Sequence, residues 1–198
     1  NPKFMEYWNG LILEKVAQDY IKNGYTFIIE ANVFPSLSKQ TIFNFKNLPV
    51  LDKGMLLNVS NLWALELEFQ RGKIEDLSVF LADLLEKTKG FGFKVYNPFE
   101  SEDWNLKDLR DNVKKVGRLY NFSGLDVYEN LAKANEQLGL PHSIHAHIEG
   151  YETTYVKDNS SLVLEKINSN DSIPRRENPS QKSRSQIFHL AHASTYSI

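Results

Sequence analysis

A chain of 198 residues with 41% hydrophobic and 24% charged side chains has the composition of one ordinary globular domain, not of a disordered segment. Its formal net charge of −2 sets up no field that would draw nucleic acid or an anionic membrane. The absence of cysteine removes disulfides, thiolate zinc sites and cysteine nucleophiles, leaving His, Asp, Glu and Lys as metal ligands.

Leu11 to Lys22 places apolar side chains at Leu11, Ile12, Val16, Tyr20 and Ile21, close to helical spacing, and Asn23-Gly24 supplies a stop. The run YTFIIEA, Tyr25 to Ala31, then reads as a buried strand. A second apolar run, Met55 to Val59, precedes two helical stretches, Leu62 to Gln70 and Ile74 to Thr88. In the latter, Leu77, Phe80, Leu81, Leu84 and Leu85 form one stripe. The strand Gly92 to Tyr96 follows, ended by Asn97-Pro98. Leu125 to Leu138 is an amphipathic helix with Gly139 as its stop, leading into the strand Ser143 to Ile148. A further helix is expected over Tyr151 to Ile167. The polar stretch Asn168 to Ser185, with Pro174, Pro179 and four basic residues, reads as a flexible surface loop. Ile187 to Ala193, IFHLAHA, is the last short strand.

Helix and strand thus alternate through about five strands, which predicts a single α/β domain over residues 1–198, with a mainly parallel sheet and helices outside it. An open doubly wound sheet and a closed barrel both fit that order. No run approaches the ~20 apolar residues of a membrane helix, and the N-terminus lacks the layout of a secretory signal, so a cytoplasmic location is expected. Asn1 in place of methionine, and Ile198 directly after an apolar strand, give both ends the look of cuts in a longer chain.

All five histidines, His142, His145, His147, His189 and His192, fall in the last third of the chain, in or beside predicted strands. Alternation puts His145 and His147 on one face and His142 on the other, and His189 and His192 on opposite faces. If neighbouring parallel strands bring His147 and His192 together at their carboxyl ends, two imidazoles converge where sheets of this class place ligands. Ordinary hydrogen-bonded core or loop histidines account for the same spacing, since no compact signature such as HExxH is present. Lys94 stands inside the apolar strand FGFKVY, where an ammonium is costly to bury. Either it snorkels to water from a strand end, or desolvation favours its neutral amine, which reacts with carbon dioxide to give a metal-bridging carbamate. Glu30, in the YTFIIEA strand, reads as a second buried charge, a hydrogen-bonding group beside a site more than a ligand. No GxGxxG, Walker loop or GxSxG is present, so nucleotide-binding and serine-hydrolase readings lack their parts.

Six segments in order resemble the amidohydrolase-superfamily subunit of formylmethanofuran dehydrogenase and its relatives in bacterial formyltransferase/hydrolase complexes. NGYTFIIEANVFP at 23–35 is similar to the family's GYTTVMEA, LPVLDKGMLLNVSN at 48–61 to its I-x-DKG, and FGFKVYNP at 91–98 to its YGIKVVNP. NEQLGLPHSIHAH at 135–147 is similar to NEELGLPHPIHVH, YETT at 151–154 to NYETT, and IFHLAHA at 187–193 to VHLTHLQ.

The resemblance implies part of a (β/α)8 TIM barrel, about strands two to six, that acts in one-carbon metabolism within a multi-subunit complex. It implies zinc, two ions in the family, with Lys94 as the carboxylated fourth-strand lysine and His147 and His192 as ligands of the fifth and sixth strands. Glu30, His142, His145 and His189 would then stand behind those ligands. The implied reaction is hydrolysis or formation of an N-formyl amide, interconverting formyl-methanofuran plus water with formate plus methanofuran. The family's first-strand His-x-His pair and eighth-strand aspartate have no counterpart in the 198 residues. The chain is therefore expected to hold at most one metal's protein ligands and not to complete the reaction unaided. Phe99-Glu100 in place of the family's glycines, a shorter loop after His147, and the inserted stretch 168–185 set it apart further. Two other readings remain: a non-catalytic remnant or subunit-binding module, since a partial barrel leaves strand edges that seek another chain, and a different metal-dependent amidohydrolase.

Overall fold

In a computed structural model of the chain, residues 2–60, 68, 71–96, 122–139, 144–147, 161–165 and 188–191 are described. Helix α1, Pro2–Lys22, ends where Gly24 takes a φ of 84° and donates its N–H to the Ile21 carbonyl at 2.9 Å, while the Asn23 side chain bonds the Asp19 carbonyl at 2.7 Å. The expected stop is there; the helix starts about two turns earlier than the apolar spacing suggests, with Pro2 at a first position that its fixed φ suits.

Strand β1, Phe27–Val33, leads through a 3-10 turn, Pro35–Leu37, into a short helix α2, Ser38–Phe45. That pair of turns was not expected from the sequence, because eight residues without a side-chain cap are too few to display a helical period. Pro35, with its preset φ at the start of the turn, is the one local signal. Strand β2, Asp52–Asn58, begins three residues before its apolar run, because polar Asp52 and Lys53 already pair with Phe27 and Ile28 of β1.

Helix α3, Ile74–Thr88, and strand β3, Gly92–Tyr96, lie where periodicity puts them. Helix α4, Gly124–Leu138, starts at a capping box: Ser123 Oγ accepts the Asp126 N–H at 3.3 Å, and the Asp126 carboxylate accepts the Ser123 N–H at 2.6 Å. Gly139, at a φ of 62°, terminates it. Strands β4, Ile144–His147, and β5, Phe188–Ala191, complete the sheet. A helical segment at 161–165 falls within the helix expected over Tyr151 to Ile167. The expected helix Leu62 to Gln70, apart from Glu68, and the loop Asn168 to Ser185 lie outside the described residues.

All four strand pairings are parallel, and the spatial order β1-β2-β3-β4-β5 repeats the chain order without reversal. The larger core joins Leu57, Val59, Phe93, Val95, Ile144 and Ala146 of the sheet to Leu77 and Leu81 of α3 and to Val127, Tyr128 and Leu131 of α4. A smaller core sets Ala17 of α1 with Ile28, Phe45, Leu48 and Leu51. By register, Ile28 shares the face of Leu57, so the helices in these two cores cover one face of the sheet. The opposite face is left to the alternate residues, and there the sequence places its unusual side chains. No described helix is long and apolar enough to cross a membrane.

Candidate metal centre

Side chains that are register partners in parallel strands stand side by side on one face. Asn58 of β2 pairs with Lys94 of β3, Lys94 with His145 of β4, and His145 with His189 of β5. One amide, one amine and two histidines therefore occupy a single row across four strands, on the face opposite the described helices. The next row, one step toward the carboxyl ends, holds Tyr96, His147 and Ala191. His147 and His189 are placed here by backbone register. His142 and His192 lie outside the described residues.

Lys94 is 6% exposed, so the snorkelling alternative for this residue does not hold. Its Nζ stands 5.8 Å from the centroid of the Tyr96 ring, a cation–π distance. Its carbonyl accepts the Val59 N–H at 3.0 Å, which carries the β2–β3 contact one residue past the last register pair. His145 is half-buried beside it.

The expectation for Glu30 needs correction. Its side chain is exposed, not buried, and it pairs with Met55, which puts it on the helix-covered face, away from Lys94. The reason is positional: only β2 flanks β1 among the described strands, and a register shift between Glu30 and Val33 interrupts that pairing. The apolar run around Glu30 suggested burial, but a strand with one described neighbour leaves a carboxylate in water.

Residues that the sequence reading passed over surround the row. Asn58 is 7% exposed and Ser60 2%. Asn58 Oδ1 accepts both the N–H of Ser60 at 3.0 Å and its hydroxyl at 2.7 Å, while Asn58 Nδ2 donates to Asn32 Oδ1 at 2.8 Å. The Ser60 hydroxyl in turn accepts the N–H of Tyr96. Only the segment LLNVSN, with polar residues at alternate positions of an otherwise apolar strand end, could have signalled this network.

Among the described residues no three His, Asp or Glu side chains gather into a metal cage. The donor types nevertheless suit a borderline ion such as zinc, since imidazole nitrogens and an anionic oxygen from a carboxylated amine are its usual ligands in the absence of thiolate. The buried amine beside a histidine of the next strand is the observation that makes the fit chemical and not merely compositional.

No protein-family model matches the chain. Among curated proteins, it is 34% identical over 137 residues to protein FwdA of Methanocaldococcus jannaschii, covering 67% of this chain and 24% of FwdA. It is 24% identical over 154 residues to FhcA, of the formyltransferase/hydrolase complex Fhc of Methylorubrum extorquens, covering 76% of this chain and 28% of FhcA. The chain thus spans about a quarter of the length of these relatives. Among solved structures, a chain of the FhcABCD complex of Methylorubrum extorquens, crystallised with methylofuran, superposes with a TM-score of 0.77 at 23% identity. That match covers 93% of this chain and 31% of the other, and it establishes a shared α/β fold.

Proposed function

We propose that this chain, which is homologous to part of FwdA and of FhcA and so is like the amidohydrolase subunit of formylmethanofuran dehydrogenase, supplies one wall of a zinc-dependent amidohydrolase barrel. Residues 1–198 form a single domain contributing strands two to six of eight; the stretch 168–185 lies outside the described residues. The sequential parallel order supports a closing barrel over a doubly wound sheet, because doubly wound sheets reverse direction at a switch point and the five described strands do not. Lys94, as its carbamate, His147 and His192 hold the ion, and His142, His145 and His189 orient those ligands. The chemistry such an ion supplies is Lewis-acid stabilisation of charge on an amide oxygen. The whole protein acts on an N-formyl amide, interconverting formyl-methanofuran plus water with formate plus methanofuran, in the cytoplasm and alongside the other members of a complex like the one its relative is named for.

The observation that carries this reading is the buried Lys94 in register with the β4 histidine row. A calorimetric zinc titration of the chain in bicarbonate tests it, with Lys94→Ala and His147→Ala alongside. Uptake by the parent and loss in both variants is the expected outcome; equal uptake in all three removes the reading. A second reading, a non-catalytic module that docks onto a partner protein, draws on β1, a strand with one described neighbour in which Phe27 and Ile29 are 40% and 41% exposed. No uptake by the parent favours that module.

A further inference from the structure

The buried polar network at the end of β2 has no part in the ligand set, yet it meets both rows of the candidate site. We propose that Asn58 and Ser60 are positioning residues that fix the β3 backbone at Lys94 and Tyr96 and thereby set where the lysine and His147 stand relative to each other. The inference rests on the reading of Lys94 as a ligand.

Asn58 is the β2 member of the Lys94 row. Ser60 touches the other row, because its hydroxyl takes the N–H of Tyr96, and Tyr96 is the register partner of His147. Between these two contacts the Val59 N–H holds the Lys94 carbonyl at 3.0 Å. The three residues Asn58, Val59 and Ser60 therefore grip β3 on both sides of Val95, just where the paired register of β2 and β3 has ended.

The network has one orientation. The N–H of Ser60 can only donate, so the Asn58 atom facing it is the oxygen, and the amide nitrogen must face Asn32. With Oδ1 engaged by both Ser60 groups, the Ser60 hydroxyl gives its proton to Asn58 and keeps its lone pairs for Tyr96. Asn32 reaches Asn58 across the register shift in β1, so the shift turns a side chain of the outermost described strand toward the row. Neighbours with 0% exposure, Leu57 and Val59, are apolar. A polar pair at this depth is costly unless every group is matched, and these groups are matched into a chain that ends on the site. Ligands of a metal need placement to within about half an ångström, which is the tolerance such a grip on β3 secures.

The test uses zinc and carbon-13-labelled bicarbonate as probes on five proteins: the 198-residue parent, Ser60→Ala, Ser60→Thr, Ser78→Ala and Lys94→Ala. Ser78 is 4% exposed, and its hydroxyl bonds the Ile74 carbonyl at 2.8 Å and Gln137 Oε1 at 3.1 Å, so its removal deletes a buried hydroxyl away from the row. Lys94→Ala is the reference for a lost ligand. Zinc affinity comes from competition titration, the lysine carbamate from its carbonyl resonance, and folding from thermal melting. Ser60→Ala is expected to weaken zinc binding roughly tenfold or more, the size of effect seen when a group supporting a ligand is removed, and to diminish the carbamate signal. Ser60→Thr, which keeps the hydroxyl, restores both, and Ser78→Ala lowers the melting temperature while leaving both readouts at the parent level. Unchanged zinc affinity and carbamate in Ser60→Ala, or an equal loss in Ser78→Ala, overturns the positioning role while leaving Lys94 as a ligand. A parent that takes up no zinc, or a Lys94→Ala variant that takes it up as the parent does, sinks the ligand reading and this inference together.

Discussion

Replacing Lys94 by methionine distinguishes a lysine retained for stability from one retained as a ligand. Methionine follows its unbranched stem without the terminal amine. Lys94 is 6% exposed and has the Tyr96 ring at 5.8 Å together with further interactions of its own. Relief of a buried charge and loss of its contacts therefore oppose each other. In chelator the variant is expected to melt within about 2–4 °C of the parent, which is about 1 kcal/mol for a chain of this size. With zinc and bicarbonate at about a hundred times the dissociation constant, binding stabilises the parent by about 2.7 kcal/mol and a ligand-deficient variant not at all. The parent's melting curve then lies well above the variant's. Scanning calorimetry in chelator and in zinc reads both states. A variant that melts well below the parent in chelator, or one that gains as much from zinc as the parent gains, refutes the reasoning.

Three further outcomes check the fold that carries the row. Leu81→Ala, at a fully buried position of α3 packed against the sheet, is expected to cost about 2–5 kcal/mol in urea unfolding. Gly90→Ala places a Cβ 2.8 Å from Leu57 Cγ and Cδ1; Leu57 is itself fully buried, so a loss of about 1–3 kcal/mol is expected, and a change within about 0.5 kcal/mol would mean that the approach of α3 to β2 is looser than described. Ser123→Ala removes half of the capping box of α4 and is expected to cost about 1 kcal/mol, visible as a lower melting midpoint with an unchanged circular dichroism spectrum.

The strands and long helices were legible because their periods are long relative to the noise. The α3 stripe buries Leu77 and Leu81 and packs Phe80, Leu84 and Leu85, partly buried, against the same core, and the run from Gly92 to Val95 is buried. Helix α2 was not legible, being shorter than the window in which a period can be counted. The oddity of Lys94 was legible too, as a charge inside an apolar strand, but whether it escaped to water depended on neighbours far away in sequence. Glu30 had the same local appearance and the opposite outcome, because β1 has one described strand beside it while β3 has two. The Asn58–Ser60 network was illegible for a further reason: hydrogen-bond partners 26 and 36 residues apart leave no mark on local sequence.

A sheet wound in one direction must put its two faces to different uses. Helices following each strand return to the same side, so one face becomes the apolar core, here Leu57, Val59, Phe93, Val95, Ile144 and Ala146. The other face changes character along the strands. Its first row sets an exposed Asp52 beside Phe27 at the strand start, and the two rows after it, Gly54 beside Ile29 and Leu56 beside Gly92, hold no ionisable group. Its later rows hold Asn58, Lys94, His145 and His189, then Tyr96 and His147. Polarity thus rises toward the carboxyl ends, where loops are free to vary and ligands enter parallel α/β folds. If Lys94 served only to fill space, an apolar side chain would fit its row as Leu56 fits the row before it. The step from Leu56-Gly92 to Asn58-Lys94-His145 is a change of character within two residues of strand, and the proposed site rests on it.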